Sequence, residues 1–181
     1  MKALILAAGF GTRLAPHSRT FPKALFPVGG IPVLGRMLGN LKRAGCTAVA
    51  VNAHHLAHHI QSYLAENDFG MPVTLSVEPE ILGTGGAIRH LSGYWDDDPF
   101  MVVNADVVTD IELSDVYHRH RMCGARVTMV MHDRPPFNQV WVDDQNRIAG
   151  FERFSNPGDP GGHREMAFTG IHVMDAGMLL R

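Results

Sequence analysis

Hydrophobic and polar positions along the chain follow two periods. Short apolar runs at 2–7, 48–52, 73–77 and 100–104, each flanked by polar residues, glycine or proline, predict buried strands. Segments between them, at 33–44, 56–65 and 86–91, carry apolar residues at helical spacing. In the first of these Val33, Leu34, Met37, Leu38 and Leu41 fall on one face, Pro32 suits a first turn and Gly45 suits the position past the end. Strands alternating with helices predict βαβ units and an α/β domain built on a mostly parallel sheet. Past Leu113 the pattern changes to a predicted helix at 114–121 and β-like runs at 125–131, 140–142, 148–154 and 166–174. The segment 155–163 holds Pro157, Gly158, Pro160, Gly161 and Gly162 and predicts a loop. The closing string "DAGMLLR" predicts the start of a helix.

Composition narrows the class. The 181 residues, 45% hydrophobic and 19% charged, suffice for one core, so a single domain over 1–181 is expected. A net charge of -2 offers no basic face for a nucleic-acid backbone. Cys46 and Cys123 lack metal-like spacing, which speaks against a disulfide framework or a thiolate zinc site and suits a reducing cytoplasm. The opening "MKALILAAG" is too short and weakly charged for a signal peptide, and no run reaches the length of a membrane span.

The chemistry concentrates in "LAAGFGTRLAPHSRTFPKALFPV", Leu6 to Val28. It follows the first predicted strand, where open α/β sheets bind ligands. It is not a Walker A loop, because G-x-x-x-x-G-K-[ST] does not occur, and Leu14 stands where a dinucleotide fingerprint needs its third glycine. What remains is Gly9 and Gly11, which allow close backbone approach, Arg13 as a fixed fork of donors and Lys23 as a mobile point charge. Together they suit a triphosphate.

"LAAGFGTRLAP" followed by "PKALFPVGGIPVL", then "EPEILGTGGAI", "VVNADV" and "FTGIHV" in that order, resembles the sugar-1-phosphate nucleotidylyltransferases of short single-domain type. The resemblance implies a Rossmann-like three-layer sandwich with a mostly parallel mixed sheet. It implies magnesium-dependent transfer of a nucleotidyl group from a nucleoside triphosphate to a sugar-1-phosphate, releasing pyrophosphate. Leu6, Ala8, Gly9, Gly11, Thr12 and Arg13 would hold the triphosphate, Arg13 facing the departing pyrophosphate and Lys23 the reacting phosphate. Asp106, just past the run "FMVVN", would bind Mg2+. Gly83, Thr84 and Gly85 would pack the base and Glu78 would accept from its edge. A carboxylate matches the two donors of guanine, which leans toward GTP, with UTP kept open. Asn104, Glu152, Arg153, Thr169 and Gly170 would face the sugar phosphate. Arg153 and Phe154 depart from the Phe-x-Glu-Lys-Pro string of many relatives, and Ala105 stands where they carry Gly. The resemblance also implies a second metal-binding aspartate after the "FTGIHV" strand; no residue up to Arg181 matches it, so a C-terminal segment is expected to be lacking. The alternative is a non-catalytic nucleotide-sensing domain of the same fold. No feature of the sequence specifies an oligomeric state.

Other constellations are set aside. His54, His55, His58 and His59 pair at i, i+4 but lack a supporting carboxylate and are expected on a solvated helix face. Asp96 to Asp98 suit a hydrated loop, and Met129, Met131, Met166 and Met174 suit the core.

Overall fold

The computed structural model describes residues 1–151 and 163–178. In chain order it holds β1 (Lys2–Leu6), β2 (Pro27–Val28), β3 (Ile31–Pro32), α1 (Val33–Arg43), β4 (Ala48–Ala53), α2 (Ala57–Glu66), β5 (Val73–Val77), α3 (Gly83–His90), β6 (Phe100–Asn104), α4 (Leu113–Cys123), β7 (Val127–His132), β8 (Val140–Val142), β9 (Ile148–Phe151) and β10 (Arg164–Met174). These gather into two compact units, Met1–Thr128 with His172–Arg181, and Met129–Ile171.

In the first unit the strands lie in the order β5-β4-β1-β6, all parallel, with Leu4 opposite both Ala50 and Val102. β1, β4 and β6 are apolar at successive positions because both faces are covered, whereas the edge strand β5, VTLSV, alternates and leaves Val77 exposed. Leu4, Ala50, Phe100 and Val102 pack with Ala87 and Ile88 of α3 on one face, while Ile5, Val51 and Val103, pointing the other way, are equally buried. Trp95 closes the first face, stacked on Phe100 at 3.9 Å with its indole N–H donating to the Ile88 carbonyl. The helical stripe predicted at 33–44 forms α1, which buries all of Val33, Leu34, Met37, Leu38 and Leu41. In the second unit β8 runs antiparallel to β9 and to the start of β10, which makes the sheet mixed. The architecture is the expected α/β, Rossmann-like arrangement.

Several expectations shift. The first strand ends at Leu6 and the helix after Val77 begins at Gly83, three residues before the predicted start, because Ala87 and Ile88 anchor a turn that glycines alone disfavour. The α4 helix is longer than predicted, at Leu113–Cys123, and Gly124 ends it at φ 66. The run predicted at 125–131 forms Val127–His132, and β10 starts at Arg164 rather than at 166. Met129, Met131 and Met166 are half-buried rather than core, while Met174 packs against the core cluster as expected. Residues 152–162 and 179–181 lie outside the described residues, and with them 152–154 of the predicted strand, all but His163 of the predicted loop and the end of the predicted terminal helix. Ala176–Met178 form a 3-10 turn. Among the described residues no helix is long and apolar enough to cross a membrane.

Candidate active site

Because β1, β4, β5 and β6 are parallel, the segments after Leu6, Ala53, Val77 and Asn104 leave the sheet at one edge. The segment after β1 supplies a turn rather than a helix. Gly11 sits in the left-handed region at φ 62, Leu14 N–H bonds back to its carbonyl, and 3-10 turns follow at Thr12–Leu14, His17–Arg19 and Lys23–Leu25. Ala24 and Leu25 are buried and fix the third turn, so Lys23 is presented at a set place. Its ammonium pairs with the Asp106 carboxylate, which the backbone holds at the end of β6 where Ala105 N–H bonds the Leu6 carbonyl at 3.0 Å.

Leu6, Gly9, Gly11, Thr12, Arg13, Lys23, Asn104 and Asp106, all singled out in the sequence, line one cleft of about 250 Å³, joined by Ala7, Leu14, Ala24 and Ala105. Arg13 makes no ion pair or hydrogen bond among the described residues and is exposed, so its guanidinium is available to an anion. The cleft thus sets two cations and one carboxylate around two glycines, the complement of a phosphate chain.

Glu78 departs from its expected use. It is 2% exposed, its Oε1 accepts from Asn52 Nδ2 at 2.8 Å and its Oε2 from Leu82 N–H at 3.1 Å. Each oxygen thus accepts one protein N–H, which fixes where the buried carboxylate points. A carboxylate held by two protein donors does not by itself single out guanine. Asn52 is the residue that sequence reading missed. A lone polar side chain in the apolar strand "AVAVNA" was its signal, because a buried amide demands partners. Gly83, Thr84 and Gly85 form the exposed first turn of α3, and Gly83 has φ 69.

Thr169 and Gly170 belong to the other unit, on β10, where Thr169 Oγ1 donates to the Val130 carbonyl at 2.8 Å and Gly170 has φ 85. Glu152 and Arg153 lie outside the described residues. Of the four histidines only His58 is exposed on α2 as expected, and His59 beside it packs against Phe21. His54 and His55 precede α2, their ring nitrogens contact the carbonyls of Glu78 and Ser18 at 2.8 and 3.1 Å, and Phe10 packs against both rings. Asp96 to Asp98 form the exposed loop expected of them, and Asp96 also pairs with Lys2 at 2.8 Å. Among the described residues no three His, Cys, Asp or Glu side chains converge.

The Nucleotidyl transferase family model matches residues 2–180. The chain is 34% identical over 188 residues to a mannose-1-phosphate guanyltransferase of Aspergillus oryzae, covering 100% of this chain and 51% of that protein. It is 32% identical over 169 residues to a UTP–glucose-1-phosphate uridylyltransferase of Synechocystis sp., covering 84% and 44%. The chain therefore spans about half the length of the curated relatives it matches. Among solved structures, HddC from Yersinia pseudotuberculosis, one form of which is complexed with GMP-PN, superposes with a TM-score of 0.81 over 98% of this chain and 78% of that one, at 21% identity, a likeness of fold. A family match over nearly the whole chain, together with relatives named for both guanylyl and uridylyl transfer, makes this chain a member of the sugar-1-phosphate nucleotidylyltransferase family.

Proposed function

We propose that the chain binds a nucleoside triphosphate in this cleft and transfers its nucleotidyl group to a sugar-1-phosphate, releasing pyrophosphate. One observation carries the reading: Gly9, Gly11, Thr12, Arg13, Lys23 and Asp106, spread over 98 positions of sequence, line a single cleft. A sugar phosphate with a second pKa near ~6 is already largely ionised at neutral pH, so the nucleophile needs no base. Catalysis then rests on holding two polyanions in line and neutralising charge. Gly9 and Gly11 bring backbone against the triphosphate, Arg13 takes the departing pyrophosphate and Lys23 the phosphate under attack. Gly83, Thr84 and Gly85 pack the base. Asn104, which lines the cleft, faces the sugar phosphate, while Thr169, Gly170, Glu152 and Arg153 are assigned to the sugar by the sequence resemblance alone.

Asp106 also suits magnesium. It is an exposed hard carboxylate in the cleft, and magnesium takes one or two carboxylates and completes its shell with phosphate oxygens and water. Bound there, the ion supplies charge neutralisation of the phosphates. Lys23, paired with Asp106 across the cleft, would stand beside the phosphates. The base is set by no residue described so far, so GTP and UTP stand equal, as the named activities of the two relatives suggest.

The test is pyrophosphate release with magnesium from GTP, UTP, dTTP, CTP and ATP against a panel of sugar-1-phosphates, alongside calorimetric binding of each triphosphate. Release with one pair is the expected result. Triphosphate binding without release from any pair would replace transfer by nucleotide sensing, and the absence of any triphosphate binding would refute the cleft as a nucleotide site.

A further inference from the structure

A buried relay joins the two ends of the proposed nucleotide site. Asn52, 3% exposed near the end of β4, accepts from Ala7 N–H through Oδ1 at 2.7 Å, where the chain leaves β1 for the phosphate turn. Its Nδ2 donates to Glu78 Oε1 at 2.8 Å, and Glu78 Oε2 accepts from Leu82 N–H at 3.1 Å, at the residue that opens α3. Donor and acceptor roles are forced along this chain. Ala7 N–H can only donate, which fixes the Asn52 oxygen toward it and the Asn52 NH2 toward residue 78. Leu82 N–H also can only donate. Residue 78 must therefore accept on both of its terminal atoms, which an ionised carboxylate does and a carboxamide cannot. A glutamine side chain at this position would set its own NH2 against either Asn52 Nδ2 or Leu82 N–H, leaving buried donors facing each other.

We infer that Asn52 and Glu78 are a positioning pair that holds the phosphate turn and the first turn of α3 in one register for the nucleotide. The carboxylate at position 78 is dictated by the two protein donors rather than by the base. This rests on the nucleotide reading of the cleft and adds to it a specificity statement: discrimination between bases lies in the turn that Glu78 holds, not in its carboxylate.

The forced polarity supplies its own control. In the swap N52D/E78Q, the carboxylate introduced at position 52 accepts from Ala7 N–H and from the amide NH2 introduced at position 78, whose amide oxygen accepts from Leu82 N–H. Every bond returns with the same net charge. Glu78→Gln alone and Asn52→Asp alone each create a buried clash, worth about tenfold or more in an equilibrium. In Asn52→Asp two carboxylates meet, so its defect shrinks as the pH is lowered and one takes a proton to donate. Affinities for GTP and UTP with magnesium, their ranking and the unfolding temperature are measured for wild type and the three variants. The expected result is loss of affinity for both nucleotides in each single variant, with unchanged ranking, recovery to within about threefold in the swap, and an acid-side recovery confined to Asn52→Asp. If Glu78→Gln reverses the GTP/UTP ranking and the swap keeps that reversal, the carboxylate reads the base and the inference fails. Recovery of unfolding temperature without recovery of affinity also overturns it, leaving the cleft reading intact. A wild-type protein that binds neither nucleotide overturns both.

Discussion

Alanine at Gly11 should cost stability, whereas alanine at Gly9 should leave stability unchanged and cost triphosphate binding, and the difference follows from where each new methyl group lands. At Gly11 the backbone lies at φ 62, where an L side chain costs about 1 kcal/mol or more. The added carbon would stand 3.1 Å from Lys23 Cβ and 3.4 Å from Ser18 Cβ. Neither neighbour yields easily, since Ser18 is buried and Lys23 is held by the buried Ala24 and Leu25. The sum is roughly 1–2 kcal/mol of stability, or about 2–8 °C in unfolding temperature for a chain of this size. At Gly9 nothing lies within 4 Å of the built carbon and the backbone is not left-handed, so Gly9→Ala should leave the unfolding temperature within about 1 °C. The open space at Gly9 is where the proposed phosphate approaches, and a methyl group there should weaken triphosphate binding by roughly tenfold or more. Scanning fluorimetry and titration calorimetry on the two variants separate these effects. Wild-type affinity in Gly9→Ala would refute close phosphate approach at this turn. An unchanged unfolding temperature in Gly11→Ala would refute the steric account of the turn.

Lys23→Ala and Asp106→Asn each break an ion pair whose side chains are 28% and 37% exposed, so stability should change by less than about 1 kcal/mol. Pyrophosphate release should nevertheless fall about a hundredfold or more, mainly in kcat, and an unchanged kcat in steady-state kinetics would remove both from the chemistry. His172 is 9% exposed, and burial pushes its pKa down from 6.5 to about 4. The unfolded chain takes up this proton below about pH 6.5 while the native state does not, so stability is flat on this account above that pH. It is lost by up to about 3 kcal/mol as the pH falls toward 4. Urea unfolding at pH 7 and pH 5 should show a smaller loss in His172→Gln than in wild type, and equal losses would refute the assignment. Cys46 is buried, with its thiol pushed up to about 11, whereas Cys123 is exposed. Native protein should release one equivalent of thionitrobenzoate quickly with Ellman's reagent and the second only in denaturant.

The fold was legible wherever burial repeats with the period of one element. The α1 stripe and the strands β1, β4 and β6 are such cases, because their apolar positions meet the core. The stretch from Thr12 to Leu25 was not, because its three short turns are set by backbone bonds and by Pro16 and Pro22 rather than by any periodic face. The β2–β3 hairpin carries a readable signal in Gly29 and Gly30, both at positive φ, that lies hidden between two stronger motifs. The start of α3 was misplaced because a stretch rich in glycine argues for a loop, and only the packing of Ala87 and Ile88 reverses that preference.

The site shows the same divide more sharply. Gly11, Arg13 and Lys23 were singled out by residue type, and Asp106 by its place at a strand end and by the family motif; the structure brings all four to one cleft and pairs Lys23 with Asp106. Residue type was not enough for Glu78. A carboxylate beside a base and a carboxylate clamped between two protein donors are the same letter in the sequence, and which one occurs depends on Asn52, 26 positions earlier and on a different strand. The direction of the Asn52 amide depends in turn on Ala7 N–H, at the mouth of the phosphate turn. The polarity of one backbone group after β1 thus fixes the chemistry required at position 78. Acidity there is a property of how the protein holds its own turns, and it says nothing by itself about guanine or uracil.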